Sequence, residues 1–295
     1  MRDVVKLAES MLETAGYEHC SYFGCFDIAA KKGRKIVLLK VLSNVDSIQE
    51  EQANSLKTIA ANLEATAIIA GERTRRERLD EDVIYHRFDI PTISTSALEN
   101  FFMEETEPLI ARARGGLFAE IDATLLREKR HASGMTQSEL AIKAGTTKKT
   151  IYEHERANKK ASLEIVEAVE KFLGPVSVPL SFETKKDPAE NMPRGRFEIS
   201  VSRHFRSIGF DTASVYSAPF NIIAKNDGLL VLSEAEEKAE KLERMVGDMM
   251  NFSQLSRKPL IAVTREEAEL EVPTINEKDF MDCSMRDIRK LIRNG

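Results

Sequence analysis

The stretch from Leu126 to Leu173 constrains the chain more than any other part of it. LREKRHASGMTQSELAIKAGTTKKTIYEHERANKKASLEIVEAVEKFL reads as four short helices with one sharp corner. Thr136 is placed to N-cap a helix beginning at Gln137, with Leu140 and Ala141 on its inner face. Gly145 follows Ala144 where the chain has to turn. A second helix begins near Thr147, and its only strongly apolar member is Ile151, so Lys148, Lys149, Thr150 and Tyr152 point outward. Leu163, Val166, Val169 and Leu173 form the stripe of a closing helix. A helix with one buried anchor and an exposed basic and hydroxyl face suits insertion into a groove better than packing in a core.

Leu126-Arg127, Arg130, Gly134, Thr136-Gln137, Leu140-Ala141, Gly145, Ile151 and Glu155 stand in an order and register that resembles the helix-turn-helix family of phage repressors and Cro-like regulators. The resemblance implies a role for each matching position. Gln137, at the positive end of its helix, would hydrogen-bond a DNA phosphate. Thr147, Lys148, Lys149 and Tyr152, with Thr150 beside them, would face base edges in the major groove, where a lysine reaches guanine O6 and N7 and a threonine methyl meets a thymine methyl. Arg130, Arg156, Asn158 and Lys159 would clamp phosphates beside the groove. Alternatively, several of these are ordinary solvated surface charges.

Charge is distributed in a way that favours nucleic acid. The 295-residue chain carries a net charge of -5, yet Arg127 to Lys160 holds nine Lys or Arg against four Glu, which puts this segment at +5 and the remainder at -10. Binding that weakens steeply with salt, and acidic flanks that repel non-specific DNA, are the expected consequences. No stretch approaches the roughly twenty apolar residues of a membrane span, and the N-terminus lacks a signal-peptide core, so a cytoplasmic protein with no membrane partner is expected. Cys20, Cys25 and Cys283 lack the paired spacing of a zinc site, and nothing calls for a cofactor.

Around this module the pattern is α/β. A helix over Val4 to Ala15, strands over Tyr22 to Ala30 and Lys35 to Leu42, a long helix capped by Asp46, and a buried strand at Thr66 to Ala70 give a mixed sheet with helices. An arginine-rich loop over Glu72 to Asp82 and extended segments at Val83 to Phe88 and Thr92-Ile93 follow. This layer resembles the core of restriction endonucleases and Holliday-junction resolvases, which hold magnesium on two strand carboxylates beside a lysine. Asp27 occupies the first acidic position and Lys40 the lysine position, but Leu38 stands where the second acid belongs. An inactive scaffold, with Asp27 capping a turn and Lys40 either snorkelling or paired to it, is therefore expected.

The last hundred residues repeat the first hundred. Gly16-Tyr17 and Phe26-Asp27-Ile28 match Gly209-Phe210 and Phe220-Asn221-Ile222; Ala67 to Ala70 matches Leu260 to Val263, and Ile90-Pro91-Thr92-Ile93 matches Val272-Pro273-Thr274-Ile275. Asn221 replaces Asp27, and the sequence alignment sets Ser233 against Lys40. The fold class expected is thus duplicated α/β flanking domains with a restriction-endonuclease-like core around an all-α helix-turn-helix domain. The domains are 1–110, 111–174, a proline-containing linker at 175–196, and 197–295. Each duplicated domain presents a surface for pairing, either within the chain or with a second chain.

The expected function is a sequence-specific DNA-binding transcriptional regulator, not an enzyme. It would act on double-stranded DNA as a homodimer, because one recognition helix reads too few base pairs for specificity. The layout is also similar to a group of archaeal regulators. The alternative is a magnesium-dependent DNA nuclease or repair factor that uses the helix-turn-helix for docking. A short antitoxin-like interaction module fits the length poorly.

Overall fold

The computed structural model describes residues 2–104, 107–180, 182 and 191–294. Helix α1 (Arg2–Thr14) buries Val5, Ala8 and Leu12 on one side and is followed by Gly16, whose φ of +77° reverses the chain. Strands β1 (Glu18–Ser21), β2 (Ile28–Lys32) and β3 (Lys35–Asn44) pair antiparallel, with Ile28 opposite Leu39 and the β2–β3 turn closed at Gly33. Of the single strand expected from Tyr22 to Ala30, only residues 28–30 lie in the sheet, because residues 22–27 leave it to meet the other α/β unit. Helix α2 (Glu50–Leu63) is capped by Gln49 through a reciprocal bond with Gln52. Asp46, the expected cap, instead accepts from Arg87 Nε at 2.6 Å and from the Arg75 backbone N–H at 2.8 Å.

Strand β4 (Thr66–Arg73) runs parallel to β3, and β5 (Val83–Arg87) and β6 (Ile90–Ser94) follow, with β6 parallel to β4. Ile36 and Leu38 of β3 face one apolar layer, whereas Val37, Leu39 and Val41 face another under α1. Continuous apolar sequence is what a strand covered on both faces requires. A short helix α3 (Ala97–Glu99) leads into a wider turn that buries Phe101 and Phe102.

The sheet then continues into the next module. Strand β7 (Ile110–Ala113) lies parallel to β5 and forms a hairpin with β8 (Gly116–Ile121). Helices α4 (Ala123–Ala132), α5 (Gln137–Lys143) and α6 (Lys148–His154), strand β9 (Lys159–Ser162), helix α7 (Leu163–Leu173) and strand β10 (Ser177–Val178) complete it. β9 pairs with one edge of β8, while β7 and β10 follow each other along the opposite edge. The helical module is thus stitched to the N-terminal sheet. The segment expected as a linker is also partly fixed: the Leu180 N–H donates to the Pro108 carbonyl at 3.0 Å, and Phe182 packs on Phe101. Residues 181 and 183–190 of that expected linker lie outside the described residues.

The third part comprises α8 (Gly195–Ser207), β11 (Asp211–Ser214), β12 (Ile222–Asn226), β13 (Leu229–Ala235), α9 (Ala239–Ser256), β14 (Leu260–Thr264), β15 (Thr274–Asn276), α10 (Glu277–Asp282) and α11 (Met285–Asn294). Its sheet order β11-β12-β13-β14-β15 reproduces β1-β2-β3-β4-β6, with antiparallel and parallel pairs in the same places. Equivalent backbone bonds fix the correspondence: Asp27 N–H donates to the Leu39 carbonyl, and Asn221 N–H to that of Ser233. Glu234 therefore occupies the place of Lys40, one residue beyond the Ser233 assigned by sequence alignment.

The two α/β units pair with each other inside the chain. Phe26 and Phe220 both pack against Phe252 of α9, with ring centroids 5.4 and 5.1 Å away, in one continuous core that also holds Met249. Cys25 N–H donates to the Ser217 carbonyl at 2.6 Å, and Ser55 Oγ of α2 accepts from the Tyr216 N–H at 2.9 Å. A Cβ on Gly24 would lie 2.0 Å from the Ser217 oxygen, so the backbones meet here only because residue 24 has no side chain. Among the described residues no helix is long and apolar enough to cross a membrane.

Candidate nucleic-acid interface

Each helix of the 123–173 module that bears on the corner starts on a side-chain cap. Asp122 Oδ1 accepts from the Thr124 and Leu125 N–H groups, both at 2.8 Å. Thr136 and Glu139 form a capping box at α5, and Thr136 N–H holds the Glu139 carboxyl below its ordinary range. Thr147 Oγ1 accepts from Thr150 N–H at 3.1 Å and starts α6. Between α5 and α6, Gly145 at φ +65° lets the Thr146 N–H return to the Ala141 carbonyl, which sets the corner. Leu126, Leu140, Ala141, Ala144, Ile151, Val166 and Val169 close the core under this corner, together with Ala119, Ile121 and Ala161 from β8 and β9.

The outer face of α6 is open. Ile151 and His154 are buried, whereas Thr147, Lys148, Lys149 and Tyr152 are exposed and Thr150 is half-buried with its hydroxyl on Thr147. The Lys149 side chain is 84% exposed, and its contact with Glu153 is at 4.0 Å. Glu153 also meets Lys159 of β9 at 3.5 Å. Exposed pairs of this kind are weak, on the order of 1 kcal/mol or less, so an incoming phosphate competes with them easily. Arg156 lies over the Tyr152 ring and donates to its hydroxyl at 3.3 Å, so guanidinium and phenol form one unit at the C-terminal end of α6. His154 Nδ1 is buried without a hydrogen-bond partner, and burial pushes the imidazole pKa down, with Lys159 adding to the effect.

Arg130 requires a correction. It is 6% exposed, and its guanidinium reaches inward to Glu155, with Nε to Oε1 at 2.5 Å and Nη2 to Oε2 at 3.1 Å, while Nη1 donates to the Met135 carbonyl at 2.8 Å. It is an interior strut between α4 and the end of α6, not a phosphate clamp. Gln137 joins the strut by donating Nε2 to Glu155 Oε2 at 2.7 Å. Burial pushes the Glu155 carboxyl up, but the bonds from Arg130 and Gln137 outweigh it and hold the group below the ordinary glutamate range. Asn158 also turns inward in part, since its Oδ1 accepts from the Ala123 N–H at 3.0 Å. Sequence reasoning missed Glu155 as the hub of the module. The available signal was a pair of opposite charges at the ends of two helices that have to meet.

The nuclease-like positions of the first unit do not fit a divalent cation. Asp27 is 1% exposed; its Oδ1 is 3.0 Å from Lys40 Nζ and its Oδ2 accepts from the Val41 N–H at 2.7 Å. Lys40 also donates to the Gly24 carbonyl at 2.8 Å. A metal needs carboxylate lone pairs facing open space, whereas these face an ammonium and a peptide, and Leu38 is buried in the shared core. In the second unit Asn221 bonds Ala235 through both amide atoms, at 2.9 Å each, and donates to Glu234 at 3.3 Å. Burial, with Glu236 and Glu198 nearby, pushes the Glu234 carboxyl up to about 8, so it is largely protonated at neutral pH.

Two parts of the chain match known protein families. Residues 1–108 match the PD-(D/E)XK superfamily domain, and residues 126–180 match the helix-turn-helix domain. A protein of Methanospirillum hungatei named "Putative HTH-type transcriptional regulatory protein" is 32% identical over 265 residues, covering 88% of this chain and 86% of that one. The chain belongs to this archaeal family. Members bearing the same name in Methanothermobacter thermautotrophicus and Methanococcoides burtonii are each 31% identical, over 93% and 77% of the chain and 86% and 74% of their own lengths. No solved structure matches the chain. This chain therefore joins a nuclease-type α/β layer to a helix-turn-helix, and in it Lys40 and Val41 occupy the oxygens of Asp27, the acid of that layer.

Proposed function

We propose that the protein is a sequence-specific DNA-binding transcriptional regulator that inserts α6 into the major groove. The observation that carries this reading is the contrast within α6: Ile151 and the Arg130–Glu155–Gln137 strut fix its inner side, while Lys148, Lys149 and Tyr152 remain exposed outside. Lysines at this position can donate to guanine acceptors, Thr147 can meet a thymine methyl, and Arg156 and Lys159 border the groove where phosphates would pass. Gln137 keeps a place at the positive end of α5 and would contact a phosphate with the donor that Glu155 leaves free.

A single recognition helix reads only a few base pairs, so we infer a homodimer on a pseudo-palindrome with half-sites one helical turn apart. The apolar faces that the two α/β units share are already joined within one chain, so a second copy would approach through another surface. The Lys40–Asp27 pair supports a scaffold role without catalysis. The reading is tested by selecting a preferred site from random duplexes and measuring variants on it. Lys148→Ala and Lys149→Ala should each relax preference at particular bases by roughly 1–3 kcal/mol, whereas Gln137→Ala should weaken all sequences alike. Equal losses on selected and random duplexes for all three would refute it.

A further inference from the structure

A cleft of about 760 Å³ opens where α2 of the first unit meets α8, β11 and β12 of the second, well away from α6 in the chain. Clefts of this size between two structural units are common small-molecule sites. Its walls combine apolar surface, from Ile199 and Ile223, with amides from both sides of the junction, Asn62 on α2 and Asn191 just before α8. The Asn62 amide nitrogen is used on the Thr58 carbonyl at 2.9 Å and that of Asn191 on Ser55 Oγ at 3.0 Å, so both carbonyl ends can accept from a ligand.

Two cations lie in the same cleft. Arg206, in the last turn of α8, spends Nε on Thr212 Oγ1 at 2.7 Å, which anchors the guanidinium and leaves its Nη edge for an anion. Lys225 on β12 stands opposite Asp211 on β11 in the strand register, and neither makes an ion pair among the described residues. Arg206 and Lys225 against Asp211 leave one net positive charge. An anchored guanidinium, amide acceptors and apolar wall together match a phosphate attached to a flat heterocycle, with the phosphate at Arg206, Lys225 adding positive charge across the edge strand β11, and exocyclic amino groups at the asparagine carbonyls.

We propose that this cleft binds a phosphorylated metabolite of mononucleotide size, making it a ligand site separate from the DNA-binding face. Titration calorimetry of the full chain with AMP, GMP, CMP and UMP, and with adenosine and inorganic phosphate as partial probes, tests it. At least one nucleotide should bind saturably and more tightly than either partial probe. Arg206→Ala and Lys225→Ala should each weaken that nucleotide by roughly 10- to 100-fold, the size of one charge-assisted hydrogen bond, while Lys225→Ala leaves the melting temperature of the unliganded protein unchanged and Arg206→Ala, which loses the exposed Thr212 bond, lowers it slightly. The proposal is overturned if no nucleotide binds more tightly than inorganic phosphate, or if the affinity survives both substitutions. Neither residue lies in the helix-turn-helix, so duplex binding by the same variants reports on the DNA reading independently.

Discussion

Replacing Arg130 separates the two roles this residue could have. If Arg130 were a phosphate clamp, Arg130→Ala would fold normally and flatten the salt dependence of DNA binding by about 0.9 in log–log slope. The structure requires a different outcome. The Arg130 and Glu155 side chains are 7% and 5% exposed, so truncating the arginine strands an interior carboxylate with only Gln137 as donor. Breaking one side of such a pair costs roughly 3–5 kcal/mol, whereas replacing both partners by apolar residues of similar size is often near neutral. Arg130→Ala should therefore lower the urea midpoint of the helix-turn-helix, followed by hydrogen exchange of α4 to α6, by an amount equivalent to that range. Arg130→Met combined with Glu155→Leu should recover most of it. An Arg130→Ala protein within about 0.5 kcal/mol of the parent, the scale of an ordinary surface substitution, and with a shallower salt slope, would refute the strut.

Two further outcomes follow from the α/β units. Glu234 is 6% exposed and its carboxyl is pushed up to about 8, above its ordinary 4.5, so the folded state holds the extra proton between these values. The advantage present below about pH 4.5 is lost as pH rises through about 8, and Glu234→Gln should remove this loss, stabilising the protein by roughly 3 kcal/mol at pH 7 and more at pH 9; an unchanged pH profile in urea titrations would contradict the assignment. Incubation with magnesium and duplex or branched DNA should give no cleavage, since both Asp27 oxygens are already bonded. Cleavage abolished by Asp27→Ala would overturn the scaffold reading.

What could be read in the sequence was local. Thr136 was legible as a cap and Gly145 as the corner because those signals depend on a few neighbouring residues. The inward turn of Arg130 was not, because its partner lies 25 residues away and an arginine before a loop has the same pattern whether it faces water or a carboxylate. Strand β9 escaped because Lys159-Lys160-Ala161-Ser162 has a single apolar residue, and its pairing with β8 supplies what its propensity lacks. Short matching motifs in one order, such as Ile90-Pro91-Thr92-Ile93 and Val272-Pro273-Thr274-Ile275, disclosed the repeat. Which polar residue faces Asn221 depended on a one-residue register, defined by the bond from the Asn221 N–H to the Ser233 carbonyl and that from the Ala235 N–H to Asn221 Oδ1.

If the exposed lysine face of α6 binds DNA by both charge and base recognition, the two should separate in a single salt series. The affinity of the full chain for a selected duplex and a scrambled one is measured across a range of salt, for the parent and for Lys148→Ala/Lys149→Ala. Log affinity should fall steeply with log salt, and the slope should be shallower by roughly 0.9 for each phosphate that the double variant no longer neutralises. The selected-over-scrambled ratio should collapse in the same variant. Salt-independent binding, or a ratio that survives removal of both lysines, would show that α6 does not read DNA.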